Sequence, residues 1–190
     1  MSKLLIVGAG GLASCALDIA TAMNTFSTIA FLDDHKLEVC GCRVLGKIQD
    51  LQNYYPKFDC VCVAIGDNTV RKQLLEKAKE IGYRIVNLKH PSAVVSNFAK
   101  VGEGNILFPN VVIEANAKVG NGNVICANTV IQHDAQLDDY CLVYSNTTLR
   151  AYSHVQDEVR IGSNCCVTFQ TVIEKNTSYD DGVVIGKEVR

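Results

Sequence analysis

The chain has 190 residues, 48 % of them hydrophobic and 20 % charged, with 18 Lys+Arg against 20 Asp+Glu for a formal net charge of −2. This is the composition of an ordinary globular protein of one large domain or two small ones, and its near-neutral balance argues against a nucleic-acid partner held by phosphate neutralisation. No run approaches the roughly 18 apolar residues of a membrane span, and the start MSKLLIVGAGG meets glycines after one short apolar run, unlike a secretory signal, which points to the cytoplasm.

Short apolar runs alternate with helical patterns from residue 1 to about 88. Lys3 to Val7 reads as a strand ending at Gly8, and residues 11–24 carry apolar side chains at helical spacing. Thr28 to Leu32 is a second strand, closed by Asp33 and Asp34. Asp59 to Ile65 is a third, closed by Gly66. Residues 69–82 form an amphipathic helix with Gly82 as its stop signal, and Arg84 to Val86 is a last short strand. Arg71, early in that helix, reads as solvated. This rhythm predicts a parallel sheet with right-handed crossovers. The domain, residues 1–88, is half of a full dinucleotide-binding fold.

The rest is a repeat. Stepping by six from Val95 through Val101, Leu107, Ile113 and Val119 to Ile173 meets fourteen aliphatic residues in succession, and a small or modest side chain follows each by four positions. A helix with 3.6 residues per turn would smear such positions around its axis. Hexapeptide repeats mark a parallel β-helix. Three hexapeptides make an 18-residue coil of a triangular prism, with the aliphatic residue inside and the small one at the corner. Residues 89–190 form this second domain, with a little over five coils. A purely structural solenoid stays open on the pattern alone.

Nine cysteines is an odd and high number. The i, i+2 spacing of Cys40 with Cys42, and of Cys60 with Cys62, does not match a zinc ribbon. Most are expected to be small buried hydrophobes, with no structural metal. Gly8-Ala9-Gly10-Gly11-Leu12-Ala13 fits G-x-G-x-x-G/A between a strand and a helix, a turn whose free N–H groups can meet a phosphate. The obvious ligand is NAD, with Asp33 or Asp34 on a ribose hydroxyl, but the sheet is too short for the second mononucleotide half.

Four histidines are present. His35 reads as exposed, His90 as shaping the junction before Pro91, and His154 as an outward surface residue. His133 follows the inward Ile131 by two positions, which places it at the face of a coil, and Asp134 adjoins it. Such a pair suits a general base with its orienting carboxylate. Residue 151 lies one coil further along.

The hexapeptide array resembles the left-handed β-helix acyltransferases. The two-domain layout is similar to their nucleotide-sugar acetyltransferase branch, the sialic acid O-acetyltransferase type that includes the N-acetyltransferase of UDP-4-amino sugars. The segments that carry the resemblance are Ile6 to Gly11, Phe31 to Asp34, Val44 to Gly46, Ala64 to Asn68 with Arg71, His90 to Ala93, and Val130 to Asp134. It implies a Rossmann-like α/β half domain followed by an all-β left-handed parallel β-helix. It also implies a nucleotide-sugar at Gly8, Gly10, Gly11, Leu12, Asp33, Asp34, Ile65 and Gly66. His133 and Asp134 are implied as the catalytic pair, with Gln132 where the family has Glu. Acetyl-CoA is the implied co-substrate, contacting Leu142 and the backbone N–H of Ala151, in a groove between subunits of a homotrimer. N-acetylation of a 4-amino group is the first expectation. O-acetylation and a non-catalytic sugar-nucleotide sensor are the alternatives. The sequence departs from the family at Leu12 and Leu142, both commonly His, at Ala151, commonly Gly, and at its end, where Gly186-Lys187-Glu188-Val189-Arg190 replaces a Gly-x-Pro-Ala tail.

Overall fold

The computed structural model describes residues 2–186. Residues 187–190, where the sequence departs from the family's tail, lie outside the described residues. The chain divides into two compact units, Met1–Pro91 and Ser92–Arg190.

In the first unit, β1 (Ser2–Val7), β2 (Phe26–Leu32), β3 (Glu38–Val39), β4 (Cys42–Gly46), β5 (Cys60–Val63) and β6 (Arg84–Ile85) form a sheet in the order β3-β4-β2-β1-β5-β6. All neighbours are parallel except the β3–β4 hairpin. Leu4, Leu5, Ile6 and Val7 are fully buried, as a central parallel strand covered on both faces requires. Helices α1 (Gly11–Met23) and α2 (Asn68–Ile81) supply the crossovers. From β1 the chain runs to β2 and β4, then returns to the other side of β1 with β5. The order therefore reverses between β1 and β5, the place where open α/β sheets bind ligands beyond the strands' carboxyl ends.

Three features depart from the sequence reading. β2 starts at Phe26, and β5 is only Cys60–Val63. The hairpin and a 3-10 helix over Ile48–Tyr54 gave no periodic signal. The hairpin turns on Cys40 and Gly41, both at positive φ (46° and 78°), with a cysteine where Asn or Asp would announce the turn. Arg71, expected in solvent, is fully buried. Its Nη1 donates to the carbonyls of Ile65 (2.9 Å) and Gly66 (3.3 Å), and its Nη2 to Asn68 Oδ1 (2.7 Å), tying down the loop after β5.

The second unit is a parallel β-helix of two-residue strands. Ile106–Leu107 pairs with Val124–Ile125, which pairs with Leu142–Val143, each partner 18 residues on. Val112–Ile113, Val130–Ile131 and Thr148–Leu149 stack likewise on a second face, and Lys118–Val119, Gln136–Leu137 and His154–Val155 on a third. The second residue of each strand points inward, and the aliphatic series from Leu107 to Ile173 forms one continuous buried core. The small positions lie beside it at the corners, where Ala117, Ala135, Cys141 and Cys165 are buried. A second six-residue period went unread in the sequence: corner residues with φ near +60°, among them Asn110, Asn116, Asn128, Asp134, Asn146, Tyr152, Asn164 and Gln170. Asn tolerates this conformation best among non-glycine residues. At one corner Asn110, Asn128, Asn146 and Asn164 bond amide to amide at 3.0–3.2 Å, a ladder up the prism.

The cysteines also correct expectation. Cys60, Cys62, Cys141 and Cys165 are buried, but Cys15 and Cys40 are exposed and the other three are intermediate, all nine as free thiols. Among the described residues no group of three or more His, Cys, Asp and Glu could hold a metal ion, and no helix is long and apolar enough to cross a membrane.

Candidate active site

Ile131 ends an inward-facing strand pair, so the chain must turn before the next strand begins at Gln136. His133 and Asp134 make that turn. His133 therefore sits on a corner of the prism, not on a face, and Asp134 takes the left-handed position at φ 60°. His133 Nδ1 lies 2.9 Å from Asp134 Oδ2. A carboxylate can only accept, so Nδ1 carries the proton and the neutral ring keeps its lone pair on Nε2. Nε2 meets no protein hydrogen-bond partner among the described residues. The two side chains are 54 % and 30 % exposed, so an incoming molecule can reach the ring.

The corner is fixed from the coil below. Glu114 Oε2 accepts the His133 backbone N–H at 2.9 Å. Gln132 Oε1 accepts the Ala151 N–H at 3.1 Å, and Gln156 Oε1 accepts that of Lys175 at 3.1 Å. In each case a polar side chain leaving a strand meets the N–H 19 residues on, one coil plus one. Glu114 was not singled out from the sequence, and this spacing is the signal that finds it. The N–H expected to meet an acyl carbonyl at Ala151 is thus engaged by Gln132. The Tyr152 ring lies perpendicular to that of His133, centroids 5.9 Å apart, and Phe169 lies 5.6 Å beyond Tyr152.

Leu142 takes the outward position of its strand and is 5 % exposed. It brings no hydrogen-bond donor. His154 is outward-facing, as expected, but only half-buried: its Nε2 is 2.7 Å from Asp138 Oδ2 and 3.1 Å from Gln136 Nε2.

The first unit gathers its candidates around the end of β1. Gly8 has φ +104°, and a Cβ there would stand 2.8 Å from the Ala64 carbonyl oxygen and 3.1 Å from Ile65 Cγ1. Only glycine lets β1 end against the Ala64–Gly66 loop. At Gly10 and Gly11 an added Cβ would meet nothing within 4 Å, so the fold's own packing does not explain those two. Gly10 caps α1 without a side-chain bond, leaving Gly11 and Leu12 at an open helix N-terminus. Asp33 Oδ2 accepts the Ala9 N–H at 2.8 Å, and Oδ1 accepts those of His35 (2.9 Å) and Lys36 (2.8 Å). Desolvation raises the Asp33 pKa, but the three N–H bonds outweigh it and the carboxyl lies below its ordinary range. Asp34 Oδ1 accepts the Ile48 N–H at 3.0 Å. Both aspartates hold the rim of this crevice in place; neither stands free.

Residues 3–78 match the PglD N-terminal domain, and residues 98–133 match the bacterial transferase hexapeptide of six repeats. The UDP-N-acetylbacillosamine N-acetyltransferase of Bacillus subtilis (strain 168) is 31 % identical over 116 residues, 56 % of this chain and 51 % of that protein. The chain therefore matches about half the length of this curated relative. The acetyltransferase domain of PglB from Neisseria gonorrhoeae FA1090 is 30 % identical, with a TM-score of 0.94 over 100 % of this chain and 94 % of that one. The same domain in complex with acetyl coenzyme A superposes with a TM-score of 0.92 at 30 % identity, over 97 % and 90 % of the two chains. A variant of perosamine N-acetyltransferase from Caulobacter crescentus, in complex with CoA and GDP-perosamine, is 26 % identical with a TM-score of 0.73, over 98 % and 94 %. With a PglD-type N-terminal domain, an uninterrupted hexapeptide array and this likeness along its length, the chain belongs to the hexapeptide-repeat sugar acetyltransferase family that includes the acetyltransferase domain of PglB.

Proposed function

We propose that this chain transfers the acetyl group of acetyl-CoA to the 4-amino group of a nucleotide-linked sugar in bacterial surface-glycan biosynthesis, with His133 as general base. The observation that carries the reading is the His133–Asp134 pair, Nδ1 held at 2.9 Å and Nε2 open at an exposed corner. Its support is that similar proteins include a UDP-N-acetylbacillosamine N-acetyltransferase, an acetyltransferase domain seen with acetyl coenzyme A, and a perosamine N-acetyltransferase variant seen with CoA and GDP-perosamine.

The amine attacks the thioester carbonyl, and Nε2 takes its proton as the C–N bond forms. Asp134 stabilises the imidazolium. The C–S bond then breaks, and the CoA thiolate leaves and takes up the proton held on His133 Nε2, which restores the neutral imidazole. The Ala151 N–H would stabilise the tetrahedral oxyanion, for which Gln132 must release it. Leu142 lies against the acyl donor as an apolar wall. The nucleotide diphosphate sits over Gly8, Gly10, Gly11 and Leu12 at the α1 N-terminus, with Ile65, Gly66, Asp33 and Asp34 lining the crevice. The space left at Gly10 and Gly11 supports this placement. The working form is a cytoplasmic homotrimer with sites between subunits. The outward row Val94, Val112, Val130, Thr148, Cys166 and Val184, which runs along one face without a charge, suits contact between copies.

Two observations favour a second reading, a sugar-nucleotide sensor: the Ala151 N–H is engaged by Gln132, and Leu142 brings no donor. Thiol release from acetyl-CoA, measured with UDP-, GDP-, CMP- and dTDP-linked amino sugars, decides between them. Release that needs one of these sugars and disappears in His133→Ala supports the transferase. Thermal stabilisation by a nucleotide-sugar, with no release and no stabilisation by acetyl-CoA, supports the sensor. Light scattering on the purified chain tests the trimer.

A further inference from the structure

Tyr152 is one of two tyrosines, with Tyr140, that take a left-handed corner of the coil, and it is the one beside His133. It sits at the left-handed corner conformation, φ 60°, one coil above Asp134. Bulky residues adopt this conformation at a cost, and such strain persists where it serves a purpose. The Asn-ladder corner fills the same position with asparagine in four successive coils, Asn110, Asn128, Asn146 and Asn164, whereas the His133 corner carries Asn116, Asp134, Tyr152 and Gln170 and the third corner Tyr140, Glu158 and Asn176. The strain is therefore not a demand of the coil. Tyr152 is also 52 % exposed, so burial of its ring does not account for it.

We infer that Tyr152 is a positioning residue for His133, an inference that rests on the reading of His133 as the base. Asp134 holds the imidazole at Nδ1, and the Tyr152 ring stands perpendicular to it at 5.9 Å. Phe169, 5.6 Å beyond, backs Tyr152 in turn. A half-exposed histidine with one hydrogen bond would otherwise swing about χ1 and χ2. The aromatic contact restricts that swing and aims Nε2 in one direction. Asp134 selects the tautomer; Tyr152 selects the orientation. Among the described residues no other hydrogen bond or aromatic contact touches the imidazole ring.

The test compares Tyr152→Phe with Tyr152→Asn in the full chain, with acetyl-CoA and a UDP-linked 4-amino sugar. The proposal expects Tyr152→Phe, which keeps the ring, to retain turnover. Tyr152→Asn, which suits the left-handed corner, is expected to keep a melting temperature at or above wild type while kcat falls about tenfold. The KM for acetyl-CoA should stay within about twofold, because Tyr152 acts through His133. A readout without substrate accompanies these. The His133 ring carbon–proton NMR signals lose the tyrosine ring-current shift in Tyr152→Asn and keep it in Tyr152→Phe. Wild-type kcat in Tyr152→Asn, or an equal loss in both variants, overturns the inference. So does a joint fall of kcat and melting temperature with unmoved His133 signals. Full turnover in His133→Ala overturns the base reading and this inference with it, a result that does not depend on either Tyr152 variant.

Discussion

Replacing Asp134 with Asn removes the charge beside His133 while leaving the backbone at ease. Asn already occupies the equivalent left-handed position at residues 110, 116, 128, 146, 164 and 176. The variant is thus expected to fold with an unchanged melting temperature, which separates chemistry from stability. The charge acts only as the imidazolium forms. Two unit charges about 4 Å apart attract by about 1 kcal/mol in bulk water and about 4 kcal/mol near a protein surface. With the histidine 54 % and the aspartate 30 % exposed, solvent screens the pair toward the lower figure. We therefore take about 1–2 kcal/mol of transition-state stabilisation, or a loss of about 5- to 30-fold in kcat/KM. An amide oxygen can still accept from Nδ1–H, so the tautomer survives in part and the loss stays below that of His133→Ala. The assay is thiol release from acetyl-CoA at saturating nucleotide amino sugar, alongside thermal unfolding. If Asp134→Asn keeps wild-type kcat/KM while His133→Ala is inactive, the carboxylate does not assist the base and the pair has been misread.

Four further outcomes are expected. Gly8→Ala destabilises by about 2–3 kcal/mol, since its Cβ would stand 2.8 Å from the Ala64 carbonyl oxygen at φ +104°. Gly10→Ala, with nothing within 4 Å, keeps its melting temperature but loses stabilisation by the nucleotide-sugar, and a thermal-shift comparison of the two variants checks both. Asp59 is held well below the usual carboxylate range, first by the Lys3 N–H at 2.7 Å, against desolvation and with help from Ser2. Because its folded pKa is depressed, its stabilisation is present above about pH 4 and is lost as pH falls through the lowered folded value. Denaturant melts of wild type and Asp59→Asn should therefore differ at pH 7 and converge in strong acid; a constant gap would refute the assignment. Thiol labelling of the native chain should modify Cys15 and Cys40 first and spare Cys60, Cys62, Cys141 and Cys165 until unfolding. Burial pushes the Cys62 thiol up to about 12, so early reaction there would contradict the packing.

The prism was legible in the sequence because its core is periodic. One aliphatic residue every six positions has a single geometric solution, and the series from Leu107 to Ile173 is the core the structure shows. β1 was readable as a short continuous apolar run and both long helices by the apolar stripe each buries at helical period. The β3–β4 hairpin was not, since the two-residue β3 carries no period and Cys40 hides the turn. Arg71 was misplaced because local pattern sees only a charge on a helix. The carbonyls of Ile65 and Gly66 that receive it belong to the preceding loop, and only the assembled fold brings them into the buried space. The same division holds at the candidate site. His133 and Asp134 are neighbours in the chain, so their pairing could be anticipated. Glu114, Gln132 and Tyr152 reach that corner, or the N–H beside it, from one coil away, through contacts 19 residues apart. Such contacts depend on where each corner turns, and the left-handed residue that sets the turn depends on stacking against the next coil. The sequence by itself determined the repeat and set His133 beside Asp134. The tertiary structure decided which side chains surround that histidine, because coil stacking, not sequence proximity, makes them neighbours.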